Sequence, residues 1–127
     1  MSRCLLAATA LTFAFALPAA AQVQRQFPQD ALRGVIAFGQ PPEIKLNGKP
    51  ARLAPGHLIR NENNMLDMSA ALMGKSATVN YTLDPEGLVK LVWVLRKEEI
   101  AVRPWPVTPQ QAQSWAFDPV AQTWTRP

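Results

Sequence analysis

Residues 77 to 95 constrain the fold more than any other stretch of this chain. From Ala77 to Leu83 the side chains alternate, Val79, Tyr81 and Leu83 against Thr78, Asn80 and Thr82. A period of two built from β-branched and aromatic residues marks a strand with one face buried. Asp84-Pro85-Glu86-Gly87 supplies a four-residue turn, and Leu88 to Leu95 returns as a run that is apolar on nearly both faces. A strand of that composition belongs at the centre of a sheet, covered on both sides.

The rest of the chain is punctuated in the same way. Arg33 to Phe38 is a short apolar run bounded by Gly39 and Pro41-Pro42, the pattern of a buried strand. Glu43 to Leu46 alternates and runs into Asn47-Gly48, the strongest short-range hairpin signal, because a type I′ turn needs positive φ at both central residues. The hairpin pairs Ile44–Leu46 with Ala51–Leu53, and Pro50 weakens the return strand or sets it at an edge. Ala54-Pro55-Gly56 reads as a further turn and His57 to Arg60 as a separate strand, closed by Asn61-Glu62-Asn63-Asn64. Met65 to Gly74 reads as extended and then turning. Arg96 to Arg103 is compatible with a strand continuation or a helical turn.

From Arg103 onward the composition shifts to prolines and tryptophans: Pro104, Trp105, Pro106, Pro109, Trp115, Pro119, Trp124 and Pro127. Thr108-Pro109 looks like an N-cap and a first-turn proline opening a short helix. Phe117 to Trp124 reads as a turn between two short extended pieces. With 127 residues there is room for one domain. The expected fold is mainly β: a small antiparallel barrel or sandwich of five to six short strands, residues 22–102, with the Pro/Trp-rich tail, residues 103–127, packed over it.

The first 21 residues read as a secretory signal peptide. Arg3 is the positive n-region, Leu5 to Leu17 is an uncharged run, and Ala19 and Ala21 stand at A-x-A spacing, which places cleavage after Ala21. The run is shorter than the roughly 20 residues a spanning helix needs, so no transmembrane segment is expected after cleavage. Cys4 leaves with the leader, and residues Gln22 to Gln26 are expected to fray. The location this implies is periplasmic or secreted.

Composition narrows the function. The chain carries 13 Lys and Arg against 9 Asp and Glu, with one Cys and one His. A disulfide framework and a cysteine-cluster zinc site are excluded within one chain. The basic residues are scattered, which argues against a nucleic-acid partner. A hydrolase would need His57 beside Ser69, Ser76, Ser114 or a carboxylate, with a third group orienting it. Glu98 and Glu99 are adjacent and, in a strand, would point to opposite faces. Asn80-Tyr81-Thr82 matches the glycosylation pattern but lies inside a strand.

Two binding readings remain. Thioethers and an imidazole suit copper(I), and His57, Met65, Met68 and Met73 offer that set; the competing reading is that the methionines fill the core. The leading reading uses aromatic rings with arginines, the side chains that dominate interface energetics. Trp93 and Trp115 are assigned to packing, whereas exposed Trp105 and Trp124 with Arg103 and Arg126 form the binding patch.

The run from Ile44 through Asn47-Gly48 to Leu53-Ala-Pro-Gly-His-Leu-Ile-Arg60, with Asn64-Met65-Leu66 and the strands Val79-Asn-Tyr-Thr and Val92-Trp-Val-Leu95, resembles a group of small, uncharacterised exported proteins of Gram-negative bacteria. The resemblance covers about half of the chain beyond the leader. It implies a periplasmic location and carries no activity or site residues with it. The expectation is a non-catalytic binding or accessory protein, without a cofactor, that acts on an envelope protein or cell-wall component.

Overall fold

The computed structural model describes residues 24–127. The leader expected over residues 1–21 lies outside the described residues. Eight strands follow in order: β1 (Leu32–Phe38), β2 (Glu43–Leu46), β3 (Lys49–Arg60), β4 (Leu66–Asp67), β5 (Ser76–Leu83), β6 (Val89–Val94), β7 (Ala116–Asp118) and β8 (Thr123–Thr125). A 3-10 turn at Ser69–Leu72 and two short helices, α1 (Lys97–Ile100) and α2 (Pro109–Ser114), complete the described elements.

Five strands close into a barrel. The sheet runs β2-β1-β5-β6-β3-β4, and β2 also pairs with β3, which closes the ring and leaves β4 as an outrigger on β3. Every pairing is antiparallel except β3 with β6, which is parallel. The expectation of a small β barrel is met, with one parallel seam that sequence reading placed as antiparallel. The seam forms because the chain crosses from β3 through β4, the 3-10 turn and β5 before returning beside β3.

The Asn47-Gly48 hairpin takes the predicted geometry, with φ of 53° and 81°. Asn47 also accepts a hydrogen bond from Val35 N through Oδ1 at 2.9 Å, tying the hairpin tip to β1. The next signal served a different purpose. Ala54-Pro55-Gly56 does not end a strand; β3 runs continuously for 12 residues, and its register shifts between Leu53 and Leu58. The same chemistry that makes a turn, a proline without N–H and a glycine at φ 76°, here makes a bulge. The bend lets the first half of β3 pair with β2 and the second half with β6.

Side-chain alternation fills the barrel. Ile36, Ile59, Val79, Val89 and Val92 are almost wholly buried, with Leu32, Leu53 and Tyr81 beside them. Burying each aliphatic side chain of this kind contributes roughly 1.5–3 kcal/mol. Among the described residues no helix is long and apolar enough to cross a membrane.

Candidate functional site

The outer face of the barrel is organised by one lateral row of paired residues. Arg33 on β1 lies opposite Asn80 on β5, Asn80 opposite Trp93 on β6, Trp93 opposite Arg60 on β3, and Arg60 opposite Leu66 on β4. The adjoining positions, Leu32, Tyr81, Val92 and Ile59, point inward and are buried. Side chains of paired residues share a face, so these five share the outer one. The two ends of the row meet different fates.

At the β1–β5 end the face is sealed by the two ends of the described chain. Phe27 packs edge-on against Trp93, at 5.6 Å between ring centroids, and against Trp105 at 5.7 Å. Trp105 in turn meets Phe117 and Trp124 at 6.2 and 6.1 Å. The expectation of exposed Trp105 and Trp124 is overturned: they are only 6% and 4% exposed. The reason is that α2 and the β7–β8 hairpin, nucleated by the Thr108 cap and the Asp118-Pro119 turn, fold both rings back onto the sheet. Trp105 also donates its indole N–H to Ala31 O at 3.0 Å. Trp93 and Trp115, assigned to packing, are the two that remain half-buried.

Arg103 and Arg126 are exposed and flank a shallow cleft of about 510 Å³ with Pro104, Trp124 and Thr125. The structure thus brings Arg103, Arg126 and Trp124 together, but Trp124 contributes a buried ring. Arg126 lies over Trp115 at 5.3 Å.

Beneath the aromatic cover sits a polar network that sequence reading missed. Arg25, expected to fray, is 6% exposed. It forms a two-point ion pair with Glu99 and donates to Asn61 O and Val94 O, each at 2.8 Å. Burial of Glu99 opposes its ionisation, yet hydrogen bonds from the Arg25 side chain and Arg96 N, with the charges of both arginines, hold its carboxyl below the usual range. Arg33 stacks on Trp105 at 5.0 Å and donates to Asn80 Oδ1 and to the carbonyls of Glu99, Ile100 and Val102. Burial, then the charge of Arg103, lowers its pKa to about 10, with Glu99 acting in the other direction. Gln122 at φ 56° ties the β7–β8 turn to the N-terminal arm, accepting from Phe27 N at 2.9 Å and donating to Pro119 O at 2.9 Å. Asn80, the glycosylation match, is wholly buried.

At the β3–β4 end nothing in the described chain covers the face. Leu58, Met65, Leu66 and Met68 are 45%, 64%, 57% and 77% exposed. Met68 is extended and follows Leu66 at strand spacing, so the two share a face, with Leu58 and Leu91 beside them. The core-filling explanation of the methionines is therefore corrected, because the chain leaves β4 along the outside of the barrel; Met73 is exposed as well. Between this edge and the N-terminal arm runs a groove of about 850 Å³ that includes Trp93, Arg60, Arg96, Gln26, Asn63 and Asn64.

His57 lies half-buried in the β3 bulge, its Nδ1 2.9 Å from Ala54 O, and no described serine or carboxylate hydrogen-bonds to it. Met65 is tied by its backbone to Asn61 at the end of β3, whereas Gly74, next to Met73, donates to Phe38 O at the end of β1.

The connectivity, a five-stranded ring with one parallel closure, is that of an OB-type Greek-key barrel. Such barrels present the face of their second and third strands to ligands. Here that face carries Glu43, Lys45, Pro50 and Arg52, with Glu43 and Arg52 ion-paired at 2.7 Å. The chain matches no protein-family model, curated protein or solved structure.

Proposed function

We propose that the protein is a non-catalytic binding or accessory protein that docks a partner protein on the uncovered half of its outer face. The contact surface is Leu58, Met65, Leu66 and Met68, continued by the Trp93–Arg60 groove. The observation that carries this reading is the exposed apolar edge at one end of a residue row whose other end is sealed with aromatic rings. Contiguous apolar surface rimmed by polar groups marks interaction sites. Methionine, tryptophan and arginine are the side chains enriched at such sites, and methionine adapts its shape to a partner. The expected leader would direct the protein to the periplasm or beyond, where an envelope protein is the partner.

Site-specific photo-crosslinking in the source cells tests this. A crosslinking residue at Met68 or Leu58 should give a discrete adduct with one protein. The same residue at Val120, which is 84% exposed but isolated in the β7–β8 turn, should give none. Equal adducts at all three positions, or none at any, would remove the docking surface.

A further inference from the structure

The groove beside the apolar edge has a chemical preference of its own. We propose that Arg60 and Trp93 form a subsite for a carboxylate carried by an extended partner segment whose apolar side chains two residues away, on the same face, lie on Leu58, Leu66 and Met68. This rests on the docking reading above and adds the chemistry of the partner.

The molecule uses its arginines in two ways. Arg25 and Arg33 spend their guanidinium donors on a carboxylate, carbonyls and an amide within the covered half. Arg60 is different. It donates one hydrogen bond, from Nη1 to Asn64 O at 3.0 Å, and pairs with no described carboxylate. A guanidinium carries five N–H donors in a planar fork that matches a carboxylate at two points. The Asn64 bond fixes the head at the groove and leaves most of that fork open.

Trp93 is the direct neighbour of Arg60 across the parallel seam and shares its face. Phe27 holds the indole edge-on, at an interplanar angle of 79°. The indole N–H of Trp93 makes no hydrogen bond to a described residue, and the half-buried ring lines the groove. An open fork and an indole N–H together offer donors to an acceptor-only group. Glu62 is the acidic residue lining the groove, and it is exposed in the Asn61–Asn64 loop, so the floor itself presents arginine and aromatic surface. The row continues from Arg60 to Leu66, and the neighbouring row places Leu58 beside Leu91. A carboxylate bound at Arg60 therefore has apolar surface directly along the sheet, which fits an extended peptide whose acidic and aliphatic residues stand two apart and so share a face.

The test follows side-chain nitrogen resonances of Arg60 Nε and Trp93 Nε1 in the purified protein during titration with two capped peptides, acetyl-Leu-Glu-Leu-Leu-amide and its Gln counterpart. The glutamyl peptide should move both resonances to saturation and bind at least tenfold tighter than the glutaminyl one. Arg60→Gln should erase that preference, whereas Met68→Ser should weaken both peptides alike. Equal binding of the two peptides, shifts confined to other residues, or no shift with either overturns the subsite. Sodium galacturonate is the third arm: saturation at a lower concentration than the glutamyl peptide would overturn the peptide assignment in favour of an acidic saccharide. Crosslinks at Met68 that persist while the two peptides behave alike would retire the carboxylate subsite and leave the docking surface standing. The reverse result would retire the docking surface alone.

Discussion

The two ends of the Arg33–Leu66 row are built from similar side chains and treated in opposite ways. At the β1–β5 end, arginine and tryptophan stack inward under a lid made by the N-terminal arm, α2 and the β7–β8 hairpin. At the β3–β4 end, arginine and tryptophan lie beside exposed leucine and methionine with no lid. Residue type alone therefore does not say whether an arginine–tryptophan pair is a core device or a contact surface; the path of the remaining chain decides.

Three sets of substitutions should sharpen that contrast. The largest effects belong to the covered half. Trp105→Ala or Trp124→Ala should cost about 3–5 kcal/mol in urea unfolding, the usual range for emptying a buried tryptophan site. Glu99→Gln should cost a similar 3–5 kcal/mol, because it leaves Arg25 charged and buried without its partner. A loss below about 1 kcal/mol in either case would mean the lid is not part of the folded core.

Next comes pH. Glu99 titrates below the usual carboxylate range in the fold, so it contributes stability that is present above its unfolded pKa and lost as pH falls through the folded value. Urea midpoints should therefore drop on acidification below the ordinary glutamate range. Glu99→Gln should flatten that drop, and an unchanged acid limb would show that other groups govern it.

A smaller difference separates the two buried tryptophans. Trp105 donates to Ala31 O, whereas Trp124 Nε1 is buried with no partner among the described residues. Trp105→Phe should thus cost about 1 kcal/mol more than Trp124→Phe, the net value of one hydrogen bond. The smallest effect is at the open edge: Leu58→Ser and Met68→Ser should shift stability by no more than about 0.5 kcal/mol, as exposed positions do, while abolishing the partner crosslink.

Much of the barrel was legible because its signals are local. The alternation at Ala77–Leu83, the Asn47-Gly48 turn and the Thr108-Pro109 helix start each act within a few residues, and each appears where expected. What escaped was non-local. Pro55-Gly56 signals a change of direction, but whether that is a turn or a bulge depends on β6 offering a second partner to β3. Arg25 looked like a frayed polar residue because its partners, Asn61, Val94 and Glu99, are far along the chain. Trp105 and Trp124 looked like a binding patch because sequence shows their chemistry but not the fold-back that buries them. Trp93 and Trp115, read as packing, do pack against the core, Trp93 through its edge-on contact with Phe27.

The central claim is that one half of this face is sealed within the molecule and the other half is kept open for a partner. Hydroxyl-radical footprinting with mass-spectrometric readout, on the purified protein and in an extract of its source cells, measures both at once. Leu58, Met65, Leu66 and Met68 should be labelled in the purified protein and protected in the extract, with Trp105 and Trp124 protected in both. Labelling of Trp105 and Trp124 in the purified protein, or identical labelling of the β3–β4 edge in both samples, would contradict the account.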